Sequence, residues 1–368
     1  MKSTLGTKAQ GDFDFGFQMD GAELYTGFQF SPPSTSVGGA ASSVGGSALT
    51  VGGAASDLDI PVEIPRTALT SEAVESLDAQ SGPTSSFSMV TGGITINLLF
   101  DAAAMAAPAS FRAGIQQAAS ILTATISDKI TVNINVDYSG TGGGAAAGPS
   151  GGQFLNYSTV RADLINNATA GDATFNALPS GSSIQGQSSV AVWNAQLKLW
   201  GVLGNNTTTA DGSATFATDI NPNLLVGVAL HELTHAMGRV PYGAPQSSSP
   251  DILDLFRFTS PGTRLISGDN TAPAAYFSLD GGNTKLADYG QKSDPSDFLN
   301  SGVQGYNDPF DEFYSGGTLQ SLTTADKQQL DALGLHTFTP TTTVAHPTLN
   351  LGCERRRRLS RAAPESSR

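Results

Sequence analysis

Two histidines and a glutamate lie close together in the middle of the chain, in the stretch His231-Glu-Leu-Thr-His235. If this stretch is helical, His231 and His235 project from one face about one turn apart, because residues four apart share a side of an α-helix. Two imidazoles in that arrangement can bind one Zn²⁺. Glu232 lies beside them, where its carboxylate can act as a general base on water. The spacing therefore predicts a zinc site with hydrolytic chemistry.

The residues around this motif predict a buried helix. Asn221 is suited to cap it, and Pro222 is suited to its first turn. From Leu224 to Leu230 the sequence is apolar apart from Gly227, so the helix should be enclosed by the rest of the protein. Gly238 follows the last apolar residue, where helices often end in a left-handed turn. A charged side chain in such a helix needs a partner, which a bound metal would supply.

Composition limits the classes of function that the chain could have. Only 14 % of the 368 residues are Asp, Glu, Lys or Arg, and the formal net charge is −13. A chain this acidic is not expected to bind nucleic acid through phosphates. It fits a protein kept soluble outside the cell, and its Asp- and Asn-rich loops could hold Ca²⁺. The only cysteine is Cys353, so no intramolecular disulfide is predicted.

The sequence contains no recognisable signal for export from the cell. No run of 18 apolar residues is present, so no membrane-spanning helix is predicted. The first residues lack the apolar core of a secretory signal. We expect a secreted protein without a recognisable signal peptide in this chain.

The chain is predicted to have three parts. Residues 1–86 form a flexible N-terminal segment, because the Gly-, Ser- and Ala-rich units of residues 36–56 have little to bury. Residues 87–338 form one catalytic domain. Residues 339–368, which include the basic run Arg355–Arg358, are predicted to be a disordered, solvated tail.

Periodicity within the domain predicts an α+β fold with a mixed, twisted sheet around the buried His231 helix. Alternating apolar residues predict strands at residues 94–100, 130–138, 190–193 and 213–216. A helix from Pro108 to about Leu122 should join the first two strands in a βαβ unit. The Gly- and Ala-rich residues 139–152 predict a loop. A hairpin over residues 276–286 and a last helix, capped by Thr323 and ended by Gly334, should follow the His231 helix.

Five motifs occur in a familiar order: HELTHAMGR at 231–239, LDLFRF at 253–258, YFSLDGG at 276–282, SDPSDF at 293–298 and LTTADKQQLDALG at 322–334. In this order they resemble a family of mostly uncharacterised bacterial secreted zinc metalloproteases. More distantly, the order of elements is similar to the metzincins, a group of zincin endopeptidases. The resemblance covers roughly residues 88–336. It implies a metzincin-like catalytic domain that binds Zn²⁺ and cleaves a protein or peptide substrate.

The third zinc ligand departs from the metzincin pattern. That pattern requires a ligand six residues after the second histidine, and this position is Pro241, which cannot bind a metal. A carboxylate is then expected, since Zn²⁺ accepts Asp or Glu oxygen. We predict Asp254, because an aspartate between Leu253 and Leu255 needs a reason to be buried. A pairing of Asp254 with Arg257 is equally open. Four other aspartates are further alternatives: Asp251, Asp288, Asp297 and Asp311.

The predicted function is therefore a zinc-dependent endopeptidase that acts as a monomer. The metal would be held by His231, His235 and Asp254, and Glu232 would take the proton from water. Tyr242 could stabilise the oxyanion. The alternative from another class is a non-enzymatic secreted adhesin or matrix protein with a structural or vestigial metal site. A structural zinc is enclosed by four protein ligands, whereas a catalytic one leaves a position for water.

Overall fold

The structure is a computed structural model that describes residues 85–205, 208–242, 249–266 and 273–338, together with the backbone of residues 29–31. The predicted flexible segment 1–86 and the predicted tail 339–368 therefore lie almost wholly outside the described residues. Their flexibility stays a prediction. The predicted catalytic domain, residues 87–338, is described apart from short gaps.

The described residues form twelve strands and six α-helices. The strands are β1 (Gln29–Ser31), β2 (Ser85–Val90), β3 (Thr95–Phe100), β4 (Thr131–Gly140), β5 (Ala145–Pro149), β6 (Gly151–Asn156), β7 (Ser189–Trp193), β8 (Gly212–Ala217), β9 (Arg257–Ser260), β10 (Thr263–Arg264), β11 (Tyr276–Phe277) and β12 (Ala287–Asp288). The helices are α1 (Ala102–Ala106), α2 (Ala109–Thr125), α3 (Tyr157–Asn167), α4 (Asn194–Leu199), α5 (Leu225–Ala236) and α6 (Thr324–Ala332). A short 3₁₀ helix spans Leu253–Phe256.

The main sheet has five strands in the order β2-β3-β4-β8-β5. Strands β3, β4 and β8 are parallel to one another, and the edge strands β2 and β5 are antiparallel to their neighbours. The sheet is therefore mixed, as predicted. Two smaller sheets accompany it, one in the order β1-β6-β7 and one in the order β10-β9-β11-β12.

The predicted βαβ unit is confirmed by β3, α2 and β4. In β3, Ile96, Leu98 and Phe100 are fully buried and alternate with partly exposed residues, as expected of a strand with one core face. In α2, Phe111, Ile115 and Leu122 recur at helical spacing and are buried. The helix therefore covers the core side of the sheet.

Helix α5 carries the His-Glu-His motif and is enclosed by the fold. All twelve of its residues are buried. The helix begins at Leu225, later than predicted, because the Asn221 side chain accepts a hydrogen bond from the Asn223 N–H at 3.0 Å and forms a turn before the helix. The predicted capping by Asn221 is therefore wrong. Gly238, with φ of +105°, stands just past the helix end as predicted.

The prediction of a loop over residues 139–152 is wrong. Residues 145–149 form β5, and β6 begins at Gly151. β5 pairs antiparallel with β8 from Ala145 opposite Phe216 to Pro149 opposite Gly212. A free sheet edge offers backbone hydrogen bonds to any extended chain, so this tertiary pairing outweighs the low strand propensity of glycine and alanine.

After α5 the chain forms the small sheet of strands β9 to β12 and then the last helix, α6. β11 and β12 pair antiparallel, which confirms the predicted hairpin. The last helix, α6, is capped by Thr323 in a capping box with Asp326, also as predicted. No helix of the described residues is long and apolar enough to cross a membrane.

Gly227 allows the chain segment that contains Thr318 to pack closely against α5. A Cβ atom at this position would lie 1.6 Å from the Oγ1 and 2.7 Å from the Cβ of Thr318. We expect Gly227→Ala to lower the free energy of unfolding by about 2 kcal/mol, because overpacking costs up to about 3 kcal/mol while the gain in helix propensity is about 1 kcal/mol. Thermal denaturation measures the effect, and removing the opposing side chain with Thr318→Gly should restore part of the loss. An unchanged melting temperature in Gly227→Ala would contradict this packing.

Candidate metal centre

Three buried side chains meet at the centre of the domain: His231, His235 and Asp297. Asp297 Oδ1 lies 3.1 Å from His231 Nε2 and 3.2 Å from His235 Nε2. The three potential ligand atoms all lie within 4.8 Å of one another. The side chains converge on one point, as the ligands of a single metal ion must.

The other ring nitrogens of both histidines face backbone carbonyls. His231 Nδ1 is 2.7 Å from the Pro309 carbonyl oxygen, and His235 Nδ1 is 2.5 Å from the Arg239 carbonyl oxygen. A carbonyl can only accept, so each Nδ1 carries the proton and donates it. Each Nε2 then faces the Asp297 carboxylate. Carbonyl partners of this kind commonly orient histidines that bind metals.

Asp297 is held by a loop that packs against the end of α5. Its N–H donates to the Asp294 carbonyl at 3.0 Å, and its own carbonyl accepts from the Gly290 N–H at 2.8 Å. The next residue, Phe298, is fully buried beside the Tyr289 ring. Burial alone would raise the pKa of Asp297, but the two imidazoles beside it hold that pKa well below its usual range. The carboxylate is therefore ionised and available as a ligand.

Glu232 lines the same cleft as the three converging side chains. Its side chain is buried, and this burial raises its pKa to about 7. The neighbouring His231 acts in the opposite direction and favours the ionised form. A general base works best with a pKa near the operating pH, so the position and the environment of Glu232 suit proton transfer.

Arg239 compensates the negative charge of Asp297 and links the loop that carries Asp297 to α5. The guanidinium is fully buried and lies 4.1 Å above the Phe310 ring. Nη1 is 3.3 Å from Asp297 Oδ1, and Nη2 is 3.0 Å from His235 Nε2. Binding of a metal by His235 must break the second of these contacts, because both use the same lone pair. Arg239 therefore holds the ligands together while limiting how freely a cation can enter.

Asp254, the predicted third ligand, lies outside this group. Its Oδ1 is 3.3 Å from Arg257 Nε, and its Oδ2 accepts from the Asp251 N–H at 3.3 Å. The structure thus favours the pairing with Arg257 that the sequence left open. Arg257 Nη1 in turn donates to the Pro295 carbonyl at 2.7 Å. Asp254 is therefore connected to the Asp297 loop through Arg257. Asp297, rather than Asp254, lies beside the two histidines.

The remaining alternatives have other partners. Asp251 accepts from the Tyr242 N–H, Asp288 pairs with Lys285, and Asp311 accepts from Gln304 Nε2 and the Asp308 N–H. Of these three, Asp311 lines the cleft, and burial raises its pKa to about 8.

The tyrosine of the cleft is Tyr314 rather than the predicted Tyr242. Tyr242 packs against Phe154, with ring centroids 5.0 Å apart, and does not line the cleft. The Tyr314 hydroxyl donates to the Pro309 carbonyl at 2.8 Å and lies 3.3 Å from His231 Nδ1. It therefore stands behind His231, on the side away from Asp297.

A cleft of about 310 Å³ opens beside the three side chains. One rim is the Gly- and Ala-rich stretch 142–147, which includes the start of β5. Residues 293–295, Asp297 and residues 311–314 also line the cleft. Leu224, directly before α5, and Val228 of α5 add an apolar wall. The cleft therefore gives a ligand access to the convergence point.

Calcium binding stays a prediction. In the part of the chain that the structure describes, His231, His235 and Asp297 are the one group of three metal-ligating side chains. In the Asp-rich loops, Asp294 and Asp308 accept hydrogen bonds from the N–H groups of Ser296 and Phe310. Those aspartates therefore shape turns.

Comparison with known proteins gives no relative to draw on: no family model matches the chain, and no curated protein or solved structure matches it. The resemblance to bacterial metalloproteases and to metzincins stays a prediction.

Proposed function

We propose that this protein is a zinc-dependent endopeptidase in which His231, His235 and Asp297 hold the metal and Glu232 is the general base. One observation carries the proposal: three buried ligand atoms converge beside a carboxylate at the wall of an open cleft. Three protein ligands leave a coordination position for water, which is typical of catalytic rather than structural zinc.

The three side chains suit zinc. Two imidazole nitrogens and one carboxylate oxygen are among its usual ligands, and a tetrahedral site of three such ligands plus water is common. The Nδ1–H donors to Pro309 and Arg239 fix the orientation that Nε2 ligation requires. When bound, Zn²⁺ lowers the pKa of a water and polarises a carbonyl.

Glu232 has the position and environment of the proton acceptor. It follows His231 directly in α5, so the helix fixes its carboxylate beside the metal ligands. Its enclosed carboxylate can take a proton from water as the water attacks and pass that proton to the departing amine. Arg239 balances the charge of Asp297 close by, which keeps the site compatible with burial.

The edge strand β5 suits an extended peptide as the substrate. Residues 145–147 line the cleft, and among the residues that the structure describes β5 is the last strand of its sheet and pairs on one side only, with β8. The free side of such a strand carries backbone N–H and C=O groups that can pair with another chain. A peptide bound there would pass the metal centre with its backbone aligned.

Peptide cleavage with and without a chelator tests the proposal. The zinc-loaded full chain should cut unfolded casein or gelatin, the chelator 1,10-phenanthroline should abolish cutting, and added Zn²⁺ should restore it. Mass spectrometry of the fragments would identify internal cuts, as an endopeptidase requires. Stoichiometric zinc without any cleavage of these substrates would contradict the proposal and favour the adhesin or matrix alternative.

A further inference from the structure

The charges around the cleft are strongly biased towards one sign. Six carboxylate residues line it: Asp219, Glu232, Asp294, Asp297, Asp311 and Glu312. Among the described lining residues, none is lysine or arginine. Glu232 and Asp297 belong to the metal centre, and burial keeps the pKa of Asp311 high, at about 8. Asp219, Asp294 and Glu312 are the three other carboxylates of the lining, and each accepts a hydrogen bond from a backbone N–H.

These three carboxylates come from separate segments of the chain that line the cleft. Asp219 Oδ1 accepts from the Gly143 N–H at 2.8 Å, so Asp219 stands at the glycine-rich rim. Asp294 and Glu312 belong to the other lining segments, and Glu312 accepts from the Lys292 N–H at 3.0 Å. Asp219 is exposed, so it can meet a charged ligand without a large desolvation cost.

The glycine-rich rim itself carries no side chain that could select a substrate. Residues 142–147 are three glycines followed by three alanines. Four other lining residues can contribute side chains to selection: Asp219, Asn221, Leu224 and Val228. Leu224 and Val228 are four residues apart, so they present one continuous apolar surface. Asp219 lines the same cleft and supplies an exposed carboxylate.

A cleft that offers both an apolar wall and an exposed carboxylate matches one kind of side chain. Lysine and arginine have an aliphatic stem with a charged head, and they bury the stem on apolar surfaces while the head stays in water. We infer that the cleft selects peptides with a lysine or arginine close to the bond that is cut, and that Asp219 is a specificity-determining residue. This inference rests on the proposed function and names its substrate class.

Peptides that carry either arginine or citrulline at the same position isolate the effect of the side-chain charge. Citrulline has nearly the same shape as arginine but is neutral, so two peptide series that differ only in this residue separate charge from size. The residue is moved one position at a time along an otherwise neutral quenched peptide. At the best position, we expect the zinc-loaded parent to have a kcat/KM about tenfold higher for arginine than for citrulline, in line with a few partly exposed charge contacts.

Asp219→Asn should lower this preference about threefold, since asparagine still accepts from Gly143 but carries no charge. Asp163→Asn is the control, because it removes one charge from α3 and Asp163 does not line the cleft. It should leave the preference unchanged. A preference that is absent in the parent, that survives in Asp219→Asn, or that falls equally in Asp163→Asn would overturn the inference.

Binding without cleavage separates this inference from the proposed function. Fluorescence anisotropy of the same labelled peptides with the Glu232→Gln protein measures affinity when no cutting occurs. Tighter binding of the arginine peptide that depends on Asp219 would support the inference even if the parent cut nothing. Equal binding of both peptides would overturn it even if the parent were an active peptidase.

Discussion

Asp297→Ala should weaken zinc binding far more than 100-fold while the protein stays folded. Loss of a residue that only orients a ligand costs about 10–100-fold in metal affinity, and loss of a ligand itself should cost more. We expect this loss because Asp297 Oδ1 lies 3.1 Å from His231 Nε2 and 3.2 Å from His235 Nε2. Competition with a chromogenic chelator measures the affinity, and circular dichroism checks the fold.

Two further variants make this prediction sharper. Asp297→His should retain part of the affinity, because imidazole is also a zinc ligand. Asp254→Asn is the matched control: it removes a buried carboxylate that pairs with Arg257 and should leave zinc affinity within about tenfold of the parent. The assignment of Asp297 fails if folded Asp297→Ala binds zinc as tightly as the parent, or if Asp254→Asn loses the metal instead.

Glu232→Gln should lower kcat by about 10²–10⁴-fold and leave zinc affinity nearly unchanged. General acid–base catalysis contributes about this much, and glutamine keeps the shape of glutamate without its basicity. Steady-state cleavage of a fluorescent peptide gives kcat, and metal analysis gives the zinc content. A Glu232→Gln protein that loads zinc and cuts within tenfold of the parent would refute a base role for this residue.

Elements defined by local pattern were predictable from the sequence. The βαβ unit follows from alternation in β3 and β4 and from helical spacing in α2, because each pattern needs only its own residues and one buried face. Thr323 and Gly334 likewise mark the ends of α6 through local backbone chemistry. The pairing of His231 with His235 is also local, since helix geometry alone sets their spacing.

Features that depend on distant residues were not predictable in this way. β5 has a sequence typical of a loop and becomes a strand because the edge of β8 is open to it. Asp297 becomes a neighbour of His231 only when its loop docks on α5 through Arg239. One signal was available: Arg239 lies four residues after His235, and a cation in so apolar a region requires a carboxylate partner.

Asp254 shows that a buried aspartate does not by itself indicate a metal ligand. Its burial between Leu253 and Leu255 does require a partner, and the structure supplies Arg257 for that purpose. Arg257 lies over the Tyr289 ring at 4.0 Å and bonds to the Pro295 carbonyl. A buried aspartate can thus meet its electrostatic requirement with an arginine as well as with a metal, and sequence alone does not separate the two.

Anomalous X-ray scattering at the zinc edge, measured on crystals of the zinc-loaded full chain, tests the metal centre most directly. The account predicts one strong peak about 2.0–2.2 Å from His231 Nε2, His235 Nε2 and an Asp297 carboxylate oxygen. In the zinc-loaded crystal, Arg239 Nη2 should lie farther than 3.0 Å from His235 Nε2, because the metal takes the lone pair of that nitrogen. A peak bound by Asp254, or the absence of any peak between the two histidines, would contradict the account.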